Sequence, residues 1–218
     1  MPEANAHLIA LYRKLARGYD QGNFHGLKAW REEALKRLNL RHGDLVVDLG
    51  CGTGLNFPRL QEAVGPQGRI IGVDLTDAML EQARQRVVAA GWKNVELVQA
   101  DAASYEFPAE VSGILSTFAL TFIPQAEIVI QHGSKALALG GRWVVLDMAW
   151  PDNVPMWGHH LLFFLGLSRY GITGKVLKRR PWQTVWNTMQ QELSETERQS
   201  FWKGFFYLAW GKRPDAPA

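Results

Sequence analysis

The stretch VVDLGCGTGLN, residues 46–56, decides the fold. An apolar run carrying one carboxylate, Asp48, leads straight into Gly50, Gly52 and Gly54. Glycine has no Cβ and accepts positive φ. Alternating glycines therefore let a backbone approach a ligand closely at the start of a helix. The dinucleotide fingerprint G-x-G-x-x-G requires a glycine at position 55, which is Leu55. No Gly-Lys-Ser/Thr follows, so the phosphate loop of nucleotide hydrolases does not fit either.

Working outward, LVVDL (45–49) reads as a buried strand, followed by a short helix over roughly 53–63. RIIGVDL (69–75) is the next strand. The helix TDAMLEQARQRVVAAG has Thr76 as its cap, an apolar stripe of Met79, Ala83, Val87 and Ala90, and Gly91 as its stop. NVELVQAD (94–101) and VSGILSTF (111–118) are strands three and four. Pro124 can open a helix running to Leu139, and Gly140-Gly141 turns into a fifth strand, RWVVLDMAW. Apolar strands alternating with helices imply an α/β fold, a doubly wound parallel sheet covered on both faces. Two amphipathic helices precede it, with faces Leu8, Leu11, Tyr12, Leu15, Tyr19 and Leu27, Trp30, Ala34, Leu35, Leu38. Downstream, Pro181 opens a helix bearing Trp182, Val185, Trp186 and Met189. Ser194 and Glu197 read as the capping box of another helix, and FFYLAWGKR (205–213) as the closing strand.

In such sheets ligands bind at the carboxyl ends of strands, where the strand order reverses. Asp48, Asp74 and Asp101 each fall at the end of a successive strand, in register with the glycine turn. Asp74 lies 24 residues after Gly50, placed to accept ribose hydroxyls. The plain alternative for any one of them is a solvated loop aspartate, and for the glycines a turn that is small only for packing.

The spacing D-x-G-x-G-x-G resembles the first motif of class I S-adenosylmethionine-dependent methyltransferases. GRIIGVDLTDAMLEQAR, NVELVQADA and LALGGRWVVLDM match further family blocks in order. LYRKLARGYD and GLNFPRL are closest to the branch of bacterial phospholipid N-methyltransferases and quinone C-methyltransferases. The resemblance implies a Rossmann-like, mostly parallel, seven-stranded sheet in a single domain, 1–218. Its parts would be an N-terminal helical cap (1–43), a cofactor-binding core (44–150), a helical insert covering the acceptor (151–200) and a terminal strand and tail (201–218). It implies S-adenosyl-L-methionine as cofactor. Gly50, Cys51, Gly52 and Gly54 would line the methionine moiety, whose carboxylate would take N–H groups of the turn, and Asp48 would attract its ammonium and sulfonium. Asp74 would hold the ribose. Leu75 and Met79 would pack near the adenine, with Asp101 and Ala102 at its edge. Thr117 and Phe118 would lie beside the reacting methyl. Tyr19 matches a tyrosine that closes over the cofactor, although it also suits an ordinary core position.

Composition bounds the rest. The net charge of +3 does not suggest nucleic acid, and STFALT lacks the Asn/Asp-Pro-Pro-aromatic run of many amino-base methyltransferases. Cys51 is the sole cysteine, so neither a disulfide framework nor a cysteine metal site is available, and no metal is expected. The N-terminus does not read as a signal peptide, and the longest apolar run, LLFFLGL (161–167), falls short of the about 20 residues that span a bilayer. The expected location is cytoplasmic, with a peripheral place at the inner membrane face as an option.

The acceptor is less legible. Methyl transfer from a sulfonium needs a base only if the nucleophile starts protonated. Tyr19, His25, His159, His160 and Tyr170 are candidates without a convincing partner spacing. Residues 157–180 are aromatic and aliphatic, then cationic; between Asn153 and Gln191 stand five cations and no Asp or Glu. That suits a contact with an anionic membrane and a lipid or quinone acceptor. It equally suits a buried lid with a solvated end. A tryptophan cage for a methylated ammonium is a third option. A water-soluble acceptor, or a non-catalytic cofactor-binding module, stays open.

Overall fold

The computed structural model describes residues 2–22, 25–151, 153–155 and 167–214. Two helices come first: α1 (Pro2–Leu15), continuing into a 3-10 segment (Ala16–Gly22), and α2 (His25–Leu38). Strands and helices then alternate as β1 (Leu45–Leu49), α3 (Phe57–Val64), β2 (Arg69–Asp74), α4 (Asp77–Ala90), β3 (Val95–Gln99) and β4 (Val111–Thr117). A 3-10 turn (Leu120–Phe122), α5 (Ala126–Ala136) and β5 (Leu137–Met148) follow. The C-terminal part holds α6 (Gly174–Lys178), α7 (Pro181–Glu192), β6 (Ser194–Phe201) and β7 (Phe206–Lys212).

The seven strands form one sheet in the order β3-β2-β1-β4-β5-β7-β6. All pairs are parallel except those of β7, which runs antiparallel between β5 and β6. The period of two along each strand divides the core. Val46, Ile70, Leu115 and Val144 face Ala34, Leu38, Phe57 and Leu60. Their neighbours Val47, Ile71, Ile114 and Val145 face Val129, Ile130, Val185 and Met189. Burying each such side chain contributes about 1.5–3 kcal/mol. Winding from β1 proceeds outward through β2 and β3, then crosses to β4 on the other side of β1. A crevice therefore opens at the carboxyl ends of β1 and β4.

Three local expectations differ from the structure. Residues 194–201 form β6, not a helix with a Ser194–Glu197 capping box. The stretch alternates in exposure and pairs with β7, so the sheet ladder overrides the local cap signature. Strand five begins at Leu137, before the glycine pair. Gly140, at φ +74°, forms a bulge within it, and pairing jumps from Val111–Leu137 to Gly113–Arg142. Thr76 does stand at the cap of α4 but makes no side-chain cap; its N–H donates to Asp74 instead.

Candidate functional site

The glycine turn is held by its own backbone. The N–H groups of Gly50 and Cys51 both donate to Val73 carbonyl oxygen, at 2.8 and 3.0 Å. Gly54 N–H donates to Cys51 carbonyl at 3.0 Å, and Gly52 N–H donates to Asp74 Oδ2 at 2.9 Å. All three glycines have positive φ, between +56° and +77°. A Cβ on Gly50 would overlap that of Ala119, and one on Gly54 would lie 2.6 Å from the Phe57 ring. The turn is thus shaped by close packing, and these four N–H groups are already bonded.

Two strand-end carboxylates face the crevice. Asp74, ending β2, accepts from Gly52 and Thr76 N–H. Burial raises its pKa against the pull of those donors. Asp101, just past β3, accepts Ala103 N–H at 3.0 Å and the Asn5 side-chain amide at 2.6 Å. That second bond draws α1 across the crevice. Two further ties hold the N-terminal segment down. Arg13 pairs with Asp77 through two bonds of 2.8 and 2.9 Å. Asp20 accepts the Thr53 hydroxyl and Arg86 Nη2, each at 2.6 Å.

Asp48 is different. It is wholly buried and accepts Asn56 Nδ2 on both oxygens, at 3.0 and 3.1 Å. Asn56 Nδ2 also donates to Thr117 Oγ1 at 3.1 Å. Arg31, from α2, donates through Nη1 to Thr117 Oγ1 at 2.6 Å and to Asn56 Oδ1 at 3.0 Å. Its guanidinium carbon lies 5.3 Å from the centre of the Phe118 ring. Phe118 has φ +58°, a strained value for a bulky residue, beside the cavity. Burial pushes the Asp48 carboxyl up to about 7, opposed by Asn56 and Arg31. Burial also lowers the pKa of Arg31.

One cavity collects these elements. Gly50, Gly52, Asp74, Leu75, Met79, Asp101, Ala102 and Thr117 line it, and Asn5 and Leu8 of α1 roof it. Tyr12, Tyr19, Phe118 and Phe122 extend the same cavity as an aromatic wall. Tyr12 packs on Tyr19 and Phe122 with ring centres 6.1 Å apart, and Tyr19 packs edge-on against Tyr170. Burial raises the pKa of Tyr12 and Tyr19, so their phenols stay protonated at neutral pH.

A family model described as the ubiE/COQ5 methyltransferase family matches residues 3–177. The chain belongs to the ubiE/COQ5 methyltransferase family. It is an S-adenosylmethionine-dependent methyltransferase. It is 30% identical over 167 residues to the demethylmenaquinone methyltransferase of Geobacillus kaustophilus, covering 74% of this chain and 69% of that one. It is 30% identical over 160 residues to the enzyme of the same name from Shouchella clausii, covering 73% and 67%. Its fold matches an N-methyltransferase from Bradyrhizobium japonicum in complex with S-adenosylhomocysteine, with TM-score 0.68 at 18% identity over 94% of this chain and 97% of that one. It also matches a geranyl diphosphate C-methyltransferase from Streptomyces coelicolor, with TM-score 0.70 at 14% identity over 85% and 78%.

The cavity of this methyltransferase fits such a cofactor. Carboxylates end β2 and β3, and the Gly50 turn leaves no room for a Cβ. Of the expected residues, ten line the cavity: Tyr19, Gly50, Gly52, Asp74, Leu75, Met79, Asp101, Ala102, Thr117 and Phe118. Asp48, Cys51 and Gly54 are not among its lining; they stand behind it and brace the turn. Of the turn's N–H groups, expected to take the methionine carboxylate, those of Gly50, Cys51, Gly52 and Gly54 donate within the protein. Tyr170 is not in the lining but backs Tyr19. His159 and His160, most of LLFFLGL, and the side chain of His25 lie outside the described residues.

Sequence reading missed Arg31, Asn56, Asn5, Tyr12 as a site residue, and Asp20. Arg31 carried a usable signal. It lies four residues after Leu27 and three before Ala34, on the apolar stripe of α2, where a charge needs a reason. Asn5 and Asp20 gave none, because their partners lie 96 and 33 residues away.

Proposed function

We propose that this methyltransferase methylates a lipophilic acceptor with a quinone-like ring. The observation that carries the reading is the single cavity in which an aromatic wall of Tyr12, Tyr19, Phe118 and Phe122 continues the strand-end carboxylates. The names of the two 30% identical relatives support the ring class. In this reading Asp74 holds the ribose hydroxyls, Leu75 and Met79 flank the adenine, and Asp101 and Ala102 meet its edge. Gly50, Gly52 and Thr117 surround the methionine end, with Asp48, Cys51 and Gly54 supporting them from behind. S-Adenosylmethionine, when bound, supplies an electrophilic methyl group on a sulfonium. The protein's part is to align the acceptor and exclude water. Tyr19 acts as a hydrogen-bond donor to an acceptor oxygen, not as a base, because burial keeps it protonated, while the Tyr12 hydroxyl is committed to the Tyr170 carbonyl.

Incubation with methyl-labelled cofactor and bacterial membranes tests this. Label should enter the organic phase and co-chromatograph with quinones. Label on a water-soluble product, or on phospholipid, overturns the ring assignment.

A second observation favours a peripheral membrane contact. Lys175, Lys178, Arg179 and Arg180 are all exposed around α6, and no Asp or Glu occurs between Asn153 and Gln191. No helix among the described residues is long and apolar enough to cross a membrane. Vesicles rich in anionic lipid should retain the protein at low salt and release it at high salt. Failure to co-sediment removes this contact.

A further inference from the structure

Thr117 Oγ1 receives two hydrogen bonds, from Arg31 Nη1 at 2.6 Å and from Asn56 Nδ2 at 3.1 Å. A hydroxyl has two acceptor lone pairs and one proton. Both lone pairs are therefore engaged, and the proton must point elsewhere. Among the described residues no acceptor lies within hydrogen-bond reach of it. Thr117 is buried and lines the cavity.

The arrangement cannot reverse. Arg31 has only donors. Asn56 is held in one orientation, its oxygen facing Arg31 and its amide hydrogens facing Asp48 and Thr117. Asp48, as an acceptor, fixes which end of Asn56 turns inward. Arg31 Nε, fully enclosed, has no acceptor among the described residues, so this side chain is not placed there to satisfy itself. A buried charge with an unsatisfied N–H is costly to keep unless something else is gained.

The glycine turn sharpens the point. Its N–H groups at Gly50, Cys51, Gly52 and Gly54 are bonded within the protein, so they are poor candidates for a ligand carboxylate. A carboxylate at this end of the cavity therefore needs a donor other than these four.

We propose that Arg31 and Asn56 are positioning residues that force Thr117 to act as a hydrogen-bond donor to the carboxylate of the cofactor's methionine end. The proposal rests on placing that end beside Gly50 and Thr117. Arg31 thereby links the N-terminal cap to donor binding without touching the ligand.

Two ligands separate this role from a structural one. S-Adenosylhomocysteine carries the methionine carboxylate; 5′-methylthioadenosine lacks it. Calorimetric titration of Thr117→Val should show S-adenosylhomocysteine weakened about tenfold, the typical effect of one hydrogen bond to a charged group. Affinity for 5′-methylthioadenosine should not change, and Thr117→Ser should restore both. Arg31→Lys retains the buried charge but not the fork. It should weaken S-adenosylhomocysteine alone, and add nothing further in the Thr117→Val background. Equal weakening of both ligands, no weakening, or additive effects of the two substitutions overturns the proposal. If Arg31→Lys fails to fold, the Thr117 pair alone decides. A wild-type chain that binds both ligands equally overturns the placement of the methionine end itself.

Discussion

The two ends of the cavity are built by opposite strategies. At the end proposed for the methyl donor each carboxylate stands at or just past the end of its own strand and is fixed by backbone within two residues: Asp74 by Thr76 N–H and Asp101 by Ala103 N–H. At the aromatic end the rings come from three separate segments. Tyr12 and Tyr19 belong to the N-terminal cap, Phe118 and Phe122 follow β4, and Tyr170, which accepts the Tyr12 hydroxyl at its carbonyl, lies 158 residues after Tyr12. One end is set by local geometry. The other exists only once the whole chain has closed on itself, so it can vary without disturbing the first.

Substitutions should expose that division, beginning with the most severe. Asp74→Ala should reduce cofactor affinity about a hundredfold, since two charge-assisted bonds to hydroxyls are lost, while the chain still folds, at a lowered melting temperature because Gly52 and Thr76 N–H lose their acceptor. A loss of only a few-fold by calorimetry would move the ribose elsewhere. Gly50→Ala should lower unfolding free energy by about 2 kcal/mol, measured by urea titration, because φ is +75° and the new Cβ overlaps that of Ala119. Tyr12→Phe should act only at the other end: it removes the bond to the Tyr170 carbonyl that holds the aromatic wall together, lowering turnover with the lipophilic acceptor about fivefold, the value of one neutral hydrogen bond, and leaving cofactor affinity unchanged. If both ends respond, they are not separable.

Acidity provides a finer probe. The Asp48 carboxyl is raised by burial to about 7, above the ordinary carboxylate range. The folded state thus binds this proton more tightly than the unfolded state does. The contribution to stability is greatest at low pH and is lost as pH rises from about 4 toward 7. Asp147, pushed up to about 6 by burial, acts in the same direction over a narrower window. Asp48→Asn should flatten the fall of melting temperature between about pH 6 and 7, on the upper side of the Asp147 titration, by about 2–4 °C. An unchanged slope would place the Asp48 carboxyl in the ordinary range. The smallest effect belongs to Arg13→Ala. Its ion pair with Asp77 is about half exposed on both sides, so stability should change by no more than about 0.5 kcal/mol.

What was legible in the sequence follows the same division. The glycine turn and the strand-end aspartates are short-range patterns, and periodicity placed β1 at its observed bounds. The role of the turn was not legible. Glycines at 50, 52 and 54 signal close approach, but whether their N–H groups face a ligand depends on Val73 and Asp74, over twenty residues away. β6 failed for a related reason. SETERQSF carries a helix-start signature, and only the neighbouring ladder of β7 makes it a strand. Arg31 was readable as a charge on an apolar stripe, but its partners Asn56 and Thr117 lie 25 and 86 positions on. The aromatic wall left no motif, since nothing in the spacing of Tyr12, Phe118 and Tyr170 relates them.

The internal bonding of the glycine turn has a kinetic consequence. A loop that must find its hydrogen bonds on meeting a ligand loses conformational freedom at that moment, and this weakens binding. Here Gly50, Cys51, Gly52 and Gly54 have their partners beforehand. Amide hydrogens in this turn should therefore exchange slowly with solvent even in the ligand-free protein. The element that lies across the crevice is α1, tied there by Asn5 and Asp101, so exchange of product for fresh donor is expected to require that this tie open. Loosening that bridge, as in Asn5→Ala, should shorten the residence time of the ligand more than any change in the turn that marks the family in the sequence.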